Sequence, residues 1–288
     1  MGMDWFRYDV DRFTTPRAAV IPLAILVLAL LYLGYTTAIT GMPVKPGLDF
    51  QGGTAVTLIT NDDEAAIRAF VAGYPLESVT RDAGGHQYLL KFEAMSPEEN
   101  EQLVQLILGR YPDASINYID ETFGSTLQGQ AILALIFSFI GMAIVVFIAF
   151  RTFVPSLAVI FCAFADMVVT AALMTLFGLT LTLGTTAALL MLIGYSVDSD
   201  VLLTMRVLKR RGDLHEKLQG AFRTGIIMTT TTIAAVAAML VVTTLLNVPV
   251  IQDIAAVLLI GLFVDIYNTW ITNAALLRWY VERKGVSP

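Results

Sequence analysis

Residues 18–44 read AAVIPLAILVLALLYLGYTTAITGMPV, twenty-seven positions without a charge, and residues 45–60 continue KPGLDFQGGTAVTLIT. A bilayer-spanning helix needs about 20 apolar residues, so the first piece crosses a membrane. The second turns at Gly52-Gly53 and runs on into the β-branched series Thr54-Ala55-Val56-Thr57-Leu58-Ile59-Thr60, the pattern of a strand. A span that feeds at once into a strand defines the architecture: membrane helices carrying an inserted α/β unit.

Charge-free runs recur at Thr122–Phe150, Met167–Val197 and Thr224–Gln252. A polar turn at Phe177-Gly178-Leu179-Thr180 divides the stretch from Pro155 to Met205, and a last apolar segment covers Val250 to Leu277. The sequence therefore predicts six transmembrane helices, at 18–39, 128–150, 155–177, 181–206, 224–246 and 250–278. The runs are too long and unpatterned for alternating barrel strands, and in hydrocarbon the backbone must satisfy its own polar groups, which leaves helices. Pro22, Pro155 and Pro249 fall near helix starts, where a missing N–H costs little. The first helix reads as an uncleaved anchor, because Asp4, Asp9 and Asp11 stand among the arginines before it and its apolar run exceeds that of a signal peptide.

Composition agrees. Of the 288 residues 56% are hydrophobic and 15% charged, against about 25% charged in soluble domains, and the mean hydropathy is +0.71. Disordered, collagenous and disulfide-framework classes are excluded, and the lone Cys162 says nothing about redox compartment. The net charge of −6 argues against nucleic acid as a partner. Arg151, Arg206, Lys209, Arg210, Arg211, Lys217, Arg223 and Arg278 all fall on one side with the arginine-rich amino-terminal segment, and that side is predicted to be cytoplasmic. Both termini, 1–17 and 279–288, and the basic loop 207–223 then face the cytoplasm, while residues 41–127 form an extracytoplasmic domain. That domain holds five Lys and Arg against 13 Asp and Glu, a net of −8.

Inside it the elements run strand 54–60, helix 62–73, strands 78–82 and 86–92 around Ala83-Gly84-Gly85, a helix opened by Ser96-Pro97-Glu98-Glu99, and strand 115–119. The order βαββαβ is that of a ferredoxin-like α+β unit. With one His, no Cys and no Gly-rich loop opening a helix, it offers no metal or cofactor site and no catalytic constellation, leaving binding as its activity.

Function is written in the scarce polar residues of the spans. Helix four carries Ile193-Gly194-Tyr195-Ser196-Val197-Asp198-Ser199-Asp200. Asp198 and Asp200 point about 200° apart, so at most one faces a given partner helix, while Ser196, Asp200 and Thr204 share a face, as do Gly194 and Asp198. Asp166 lies near the middle of helix three and Asp265 near the middle of helix six. Intramembrane acids mark ion or proton paths by default; the alternative is that they are structural pairs locking the bundle. Arg223 is expected to open helix five at a level where it meets Asp198 or Asp200. Thr229-Thr230-Thr231-Thr232 and the alanines after it read as a close-packing face whose hydroxyls bond across helices. Gly52-Gly53 reads as a tight hinge between the first helix and the domain.

Three segments, Gly-Leu-Asp-Phe-Gln-Gly-Gly-Thr at 47–54, Ile-Gly-Tyr-Ser-Val-Asp-Ser-Asp at 193–200 and Arg-Thr-Gly-Ile-Ile-Met-Thr-Thr-Thr-Thr at 223–232, resemble the signatures of the SecD/SecF protein-export family, on its SecF side. The resemblance covers the whole chain. It implies a non-enzymatic, cofactor-free member of the resistance-nodulation-division superfamily in the cell membrane. Its partners would be a SecD chain, the Sec channel and the emerging polypeptide, with proton flow through carboxylates between helices driving the external domain. By the same resemblance Asp49, Gly52 and Gly53 form the hinge and base of that domain, Asp198 or Asp200 is the helix-four carboxylate, and Arg223 is its basic counterpart. Bacterial members commonly read Gly-Tyr-Ser-Ile-Asn-Asp-Thr here; this chain has Ser199 at the acid and Asp198 and Asp200 on either side of it, as archaeal members do. Archaea lack the cytoplasmic motor ATPase, and the sequence contains no P-loop, so any energy the subunit adds comes from elsewhere than ATP. The rival readings are half of a small-molecule or lipid exporter of the same superfamily, and a passive stabilising partner of the channel.

Overall fold

The structure is a computed structural model that describes residues 13–14, 18–81, 86–210, 212–246 and 248–284. The rest of the expected amino-terminal segment, the turn at Ala83-Gly84-Gly85 and Arg211 lie outside the described residues. Among the described residues six helices are long and apolar enough to cross a membrane: α1 (Val20–Thr40), α5 (Glu121–Phe150), α6 (Phe153–Leu176), α7 (Leu183–Lys209), α8 (Leu214–Leu246) and α9 (Pro249–Tyr267). The last continues through a π turn, Asn268–Asn273, into α10 (Ala274–Lys284). The chain is thus a multi-pass membrane protein, and between its first and second spans lies a small four-stranded domain.

That domain contains α2 (Leu48–Gln51), β1 (Gly53–Ile59), α3 (Glu64–Phe70), β2 (Leu76–Arg81), β3 (Gln87–Phe92), α4 (Pro97–Arg110) and β4 (Ser115–Ile119). The sheet order is β2-β3-β1-β4 with every pair antiparallel, the arrangement a βαββαβ chain adopts when both helices pack on one face. Alternation decides which face: Val56 and Leu58 of β1 and Tyr88, Leu90 and Phe92 of β3 are buried with Ile67 of α3 and Leu103 and Ile107 of α4. Leu106, beside Ile107 on α4, is left 38% exposed. The capping box at Ser96 and Glu99 forms as the sequence predicts, Glu99 N donating to Ser96 Oγ and Ser96 N to Glu99 Oε2.

Asp62, in the turn between β1 and α3, ties the two helices together by accepting from Tyr111 Oη (2.6 Å) and Arg110 Nη2 (2.9 Å). The Tyr111 hydroxyl, then the Arg110 guanidinium, hold the Asp62 carboxyl below its ordinary 3.8, and burial, then Asp62, pushes Tyr111 up to about 12. A carboxyl lowered on folding stabilises the fold fully above pH 3.8 and loses that contribution as pH falls through the lower folded value. Asp62→Asn is therefore expected to lower the melting temperature of the purified chain by a small amount above pH 3.8, the contact being at the surface, and to converge with the wild type as pH falls further, so that the acid side of its melting-temperature profile is flatter.

Two helices begin well before their apolar portions. α5 starts at Glu121, capped by Asp120 Oδ1, which accepts from Thr122 N and Phe123 N. α8 starts at Leu214, so most of the segment expected as the loop 207–223 is helical, and Arg223 sits in the third turn of α8 rather than at its start. Burial separates the spans. Over half of the most apolar window of α6 is buried, half of that of α7 and 39% of the sixth span's, against 11% to 17% for α1, α5 and α8. Small residues explain the close approach: Ala163, Ala165 and Ala172 on α6, Ala188 on α7 and Ala255 and Gly261 on α9 are buried at the contacts, and the Leu192 side chain fills the space that a Cβ on Gly261 would need.

Candidate functional site

The three tightly packed spans each place one acid in a single buried cluster. Asp166 (α6), Asp200 (α7) and Asp265 (α9) are each at most 1% exposed. Asp166 is satisfied on both oxygens, Oδ2 by Ser196 Oγ at 2.5 Å and Oδ1 by Asn268 Nδ2 at 2.6 Å. Asp200 Oδ1 accepts from Asn273 Nδ2 (2.7 Å) and Thr269 Oγ1 (3.0 Å). The same Thr269 hydroxyl lies 3.1 Å from Asp265 Oδ1. A hydroxyl has one proton to give, so both contacts are hydrogen bonds only when one of the two carboxyls is itself protonated and donates to Thr269. The π turn delivers these partners, since Asn268, Thr269 and Asn273 all belong to it; such turns inside helices are frequent at functional sites.

No Lys, Arg or His among the described residues reaches these acids. Arg206 donates to Gly220 O and to Thr224 Oγ1 (2.8 Å), fastening α7 to α8. Arg223 is exposed and touches neither Asp198 nor Asp200, so the expected pairing does not form within this chain; its place on α8 turns it away from α7. Asp198 is exposed too, which follows from its two-residue offset from inward-facing Asp200. The helix-four motif thus has two faces, Ser196, Asp200 and Thr204 buried, and Gly194, Tyr195 and Asp198 exposed. On α8 only Thr229 of the four threonines is buried, and the hydroxyls of Thr229, Thr231 and Thr232 donate to their own helix backbone, not across helices. An apolar groove of about 540 Å³ between the first, third and sixth spans is lined in part by Asn268, the donor to Asp166.

The first motif forms a packed joint rather than a free hinge. Asp49 Oδ2 accepts from Leu183 N (2.9 Å), capping the amino end of α7. Gly47 N donates to Leu181 O and Leu181 N to Lys45 O, a short parallel bridge to the turn between α6 and α7. Gly52 (φ 76°) and Gly53 (φ 126°) take conformations that side chains resist, and a Cβ on Gly52 would lie 2.7 Å from the Glu121 Cα where α5 begins.

Comparison with known proteins decides what this assembly belongs to. The family model "Protein export membrane protein SecD/SecF, C-terminal" matches residues 100–283, and "Protein-export membrane protein SecF" of Methanolacinia petrolearia is 55% identical over 98% of this chain and all of its own. The chain belongs to the SecD/SecF family of protein-export membrane proteins. The relative of the same description in Haloferax volcanii is 43% identical over 94% of each chain. The crystal structure of SecDF, a translocon-associated membrane protein from Thermus thermophilus, superposes with a TM-score of 0.75 at 21% identity, covering 98% of this chain and 40% of that one, so the fold is SecDF-like. The SecD/SecF family is one of membrane transport proteins rather than a known enzyme family.

Within this SecD/SecF chain, sequence reasoning found the three acids but missed Asn268, Thr269 and Asn273. The signal was present: Asp265, Asn268, Thr269, Thr272 and Asn273 recur at the spacing of one helical face in an otherwise apolar span. A search for charges passes over amides and hydroxyls.

Proposed function

We propose that the chain is the SecF-type subunit of a heteromer with SecD in the cytoplasmic membrane, assisting Sec-dependent export by coupling an ion gradient, carried by protons, to movement of the domain between spans one and two. One observation carries this reading: Asp166, Asp200 and Asp265 are sealed together with no basic side chain. Three ionised carboxylates in so dry a place are untenable, the cost of one unpaired buried charge alone being on the order of tens of kcal/mol before protonation relieves it. The cluster must take up positive charge to exist and gives it up only by rearranging. In this reading the termini are cytoplasmic, the domain is extracytoplasmic and meets the emerging polypeptide beside the Sec channel, and exposed Asp198 and Arg223 face the SecD chain. Motion starts at Asp200 and reaches the domain through Asp49, Gly52 and Gly53.

The test replaces each of the three acids by Asn in turn and follows export in cells with the proton gradient imposed or collapsed, alongside the amount of the protein. Loss of the gradient-dependent part of export at normal abundance is the expected result. Full export by all three variants under both conditions would sink the coupling. Reduced abundance with unchanged export per molecule would favour a purely stabilising role. Arg223→Ala and Asp198→Ala are expected to weaken co-purification with SecD several-fold without lowering the amount of either chain.

A further inference from the structure

The two oxygens of Asp200 have different fates. Oδ1 holds two hydrogen bonds, whereas Oδ2, equally buried, has no partner. Two more buried oxygens without a partner belong to the same neighbourhood, Thr204 Oγ1 and Asn273 Oδ1, on residues that are both 0% exposed. Thr204 lies one turn beyond Asp200 on the same helix face. Asn273 grips Asp200 through its amide nitrogen, which brings its own carbonyl oxygen to the edge of that carboxylate. A carboxylate, a hydroxyl and an amide carbonyl, with no nitrogen or sulfur donor among them, are the ligand types of a hard cation. Among the described residues the surroundings carry no positive charge. From α6 come Asp166, already satisfied by Ser196 and Asn268, and the thiol of Cys162; from α9 comes Asp265, joined to Asp200 by Thr269.

We infer that Asp200 Oδ2, Thr204 Oγ1 and Asn273 Oδ1 form an all-oxygen seat for a dehydrated monovalent cation of the size of sodium. The inference rests on the ion-coupling reading above and extends it: protons and the cation compete for one carboxylate, Asp200. A single carboxylate balances a single positive charge, and so favours a monovalent over a divalent ion in an apolar bundle.

The experiment is thermal unfolding of the purified full chain in detergent at about pH 8, titrated with sodium chloride against choline chloride and potassium chloride at constant ionic strength. Sodium is expected to raise the melting temperature saturably, as a ligand of the folded state does, and the other two salts are not. Lowering the pH to about 6 is expected to move half-saturation to higher sodium, because protons occupy the same oxygen. Thr204→Val, equal in shape but without the hydroxyl, is expected to raise the half-saturating concentration about tenfold, the loss of one ligand of ordinary strength, and Thr204→Ser to restore it. Identical responses of the folded wild type to sodium and choline would overturn the proposal. So would a sodium response that Thr204→Val and Asp200→Asn share with the wild type, which would mean an adventitious ion only. If Thr204→Val does not fold, Thr204→Ala against Thr204→Ser decides in the same way. A negative result here together with gradient-dependent export leaves proton coupling standing, whereas sodium binding with indifferent export would sink the coupling and keep the site.

Discussion

Asp200→Asn is expected to bring gradient-dependent export down to the level of cells lacking the chain while the protein accumulates normally. The amide preserves what the carboxylate does for the fold: its oxygen still accepts from Thr269 Oγ1 and Asn273 Nδ2, and its volume is the same. What it removes is the capacity of Asp200 to exchange a positive charge; Asp166 is already satisfied on both oxygens, and Asp265 reaches Asp200 only through the shared Thr269 hydroxyl. Asp200→Leu separates structure from function by contrast. It strands the Asn273 amide in the bundle core, and an unmet buried donor costs about 1 to 3 kcal/mol, so this variant should lose abundance as well as export. Immunoblotting of membranes beside the export assay distinguishes the two. Equal abundance of the two variants would show that the cluster contributes nothing to the bundle.

Gly52→Val is expected to be the most damaging change at the base of the domain. Its φ of 76° is strained for any side chain, and the added Cβ would meet backbone, Glu121 Cα at 2.7 Å and Glu121 N at 2.8 Å, which cannot rotate away. Strain and overlap together are worth about 3 kcal/mol or more, a large part of an ordinary stability margin. The predicted outcome is a chain that proteases cut near residue 52 in isolated membranes and that accumulates poorly. Gly34→Ala is the control, because no atom lies within 4 Å of the position its Cβ would take, and it should behave as wild type. A stable, protease-resistant Gly52→Val would mean that α5 shifts to make room and that the joint is looser than its geometry indicates.

How much of this was readable in the sequence depends on what each residue reports. Ser115–Ile119 was legible to the residue because β-branched and aromatic positions between Asp113 and Asp120 leave one way to pair. The starts of α5 and α8 were not, since hydropathy marks only the apolar stretch of a span: α5 opens at Glu121 and α8 at Leu214, in polar sequence ahead of it. That Asp166, Asp200 and Asp265 lie inside long apolar helices could be read from hydropathy, and the opposition of Asp198 to Asp200 followed from helical phase alone. The azimuth of Arg223 could not be read, because which way α8 turns is settled by packing, including the seating of the Trp270 ring where a Cβ on Gly225 would be. The polar side of the π turn was legible in principle and overlooked, since Asn and Thr leave no mark on a charge count.

The cap that Asp49 places on Leu183 gives α7 a mechanical character. Leu183 and Asp200 stand 17 residues apart on one unbroken helix, about 26 Å at 1.5 Å per residue. Under the proposed function the Asp200 cluster and the domain base are therefore joined by a single strut, with one carboxylate and two backbone bonds as its coupling pin. Such a strut transmits a push without enlarging it, so a repacking of an ångström or two around Asp200 arrives at Asp49 as the same small stroke. Any larger sweep of the domain must be gained beyond the pin, by leverage about the short fulcrum at Gly52 and Gly53, and the stiffness of that fulcrum would set the gearing of the whole device.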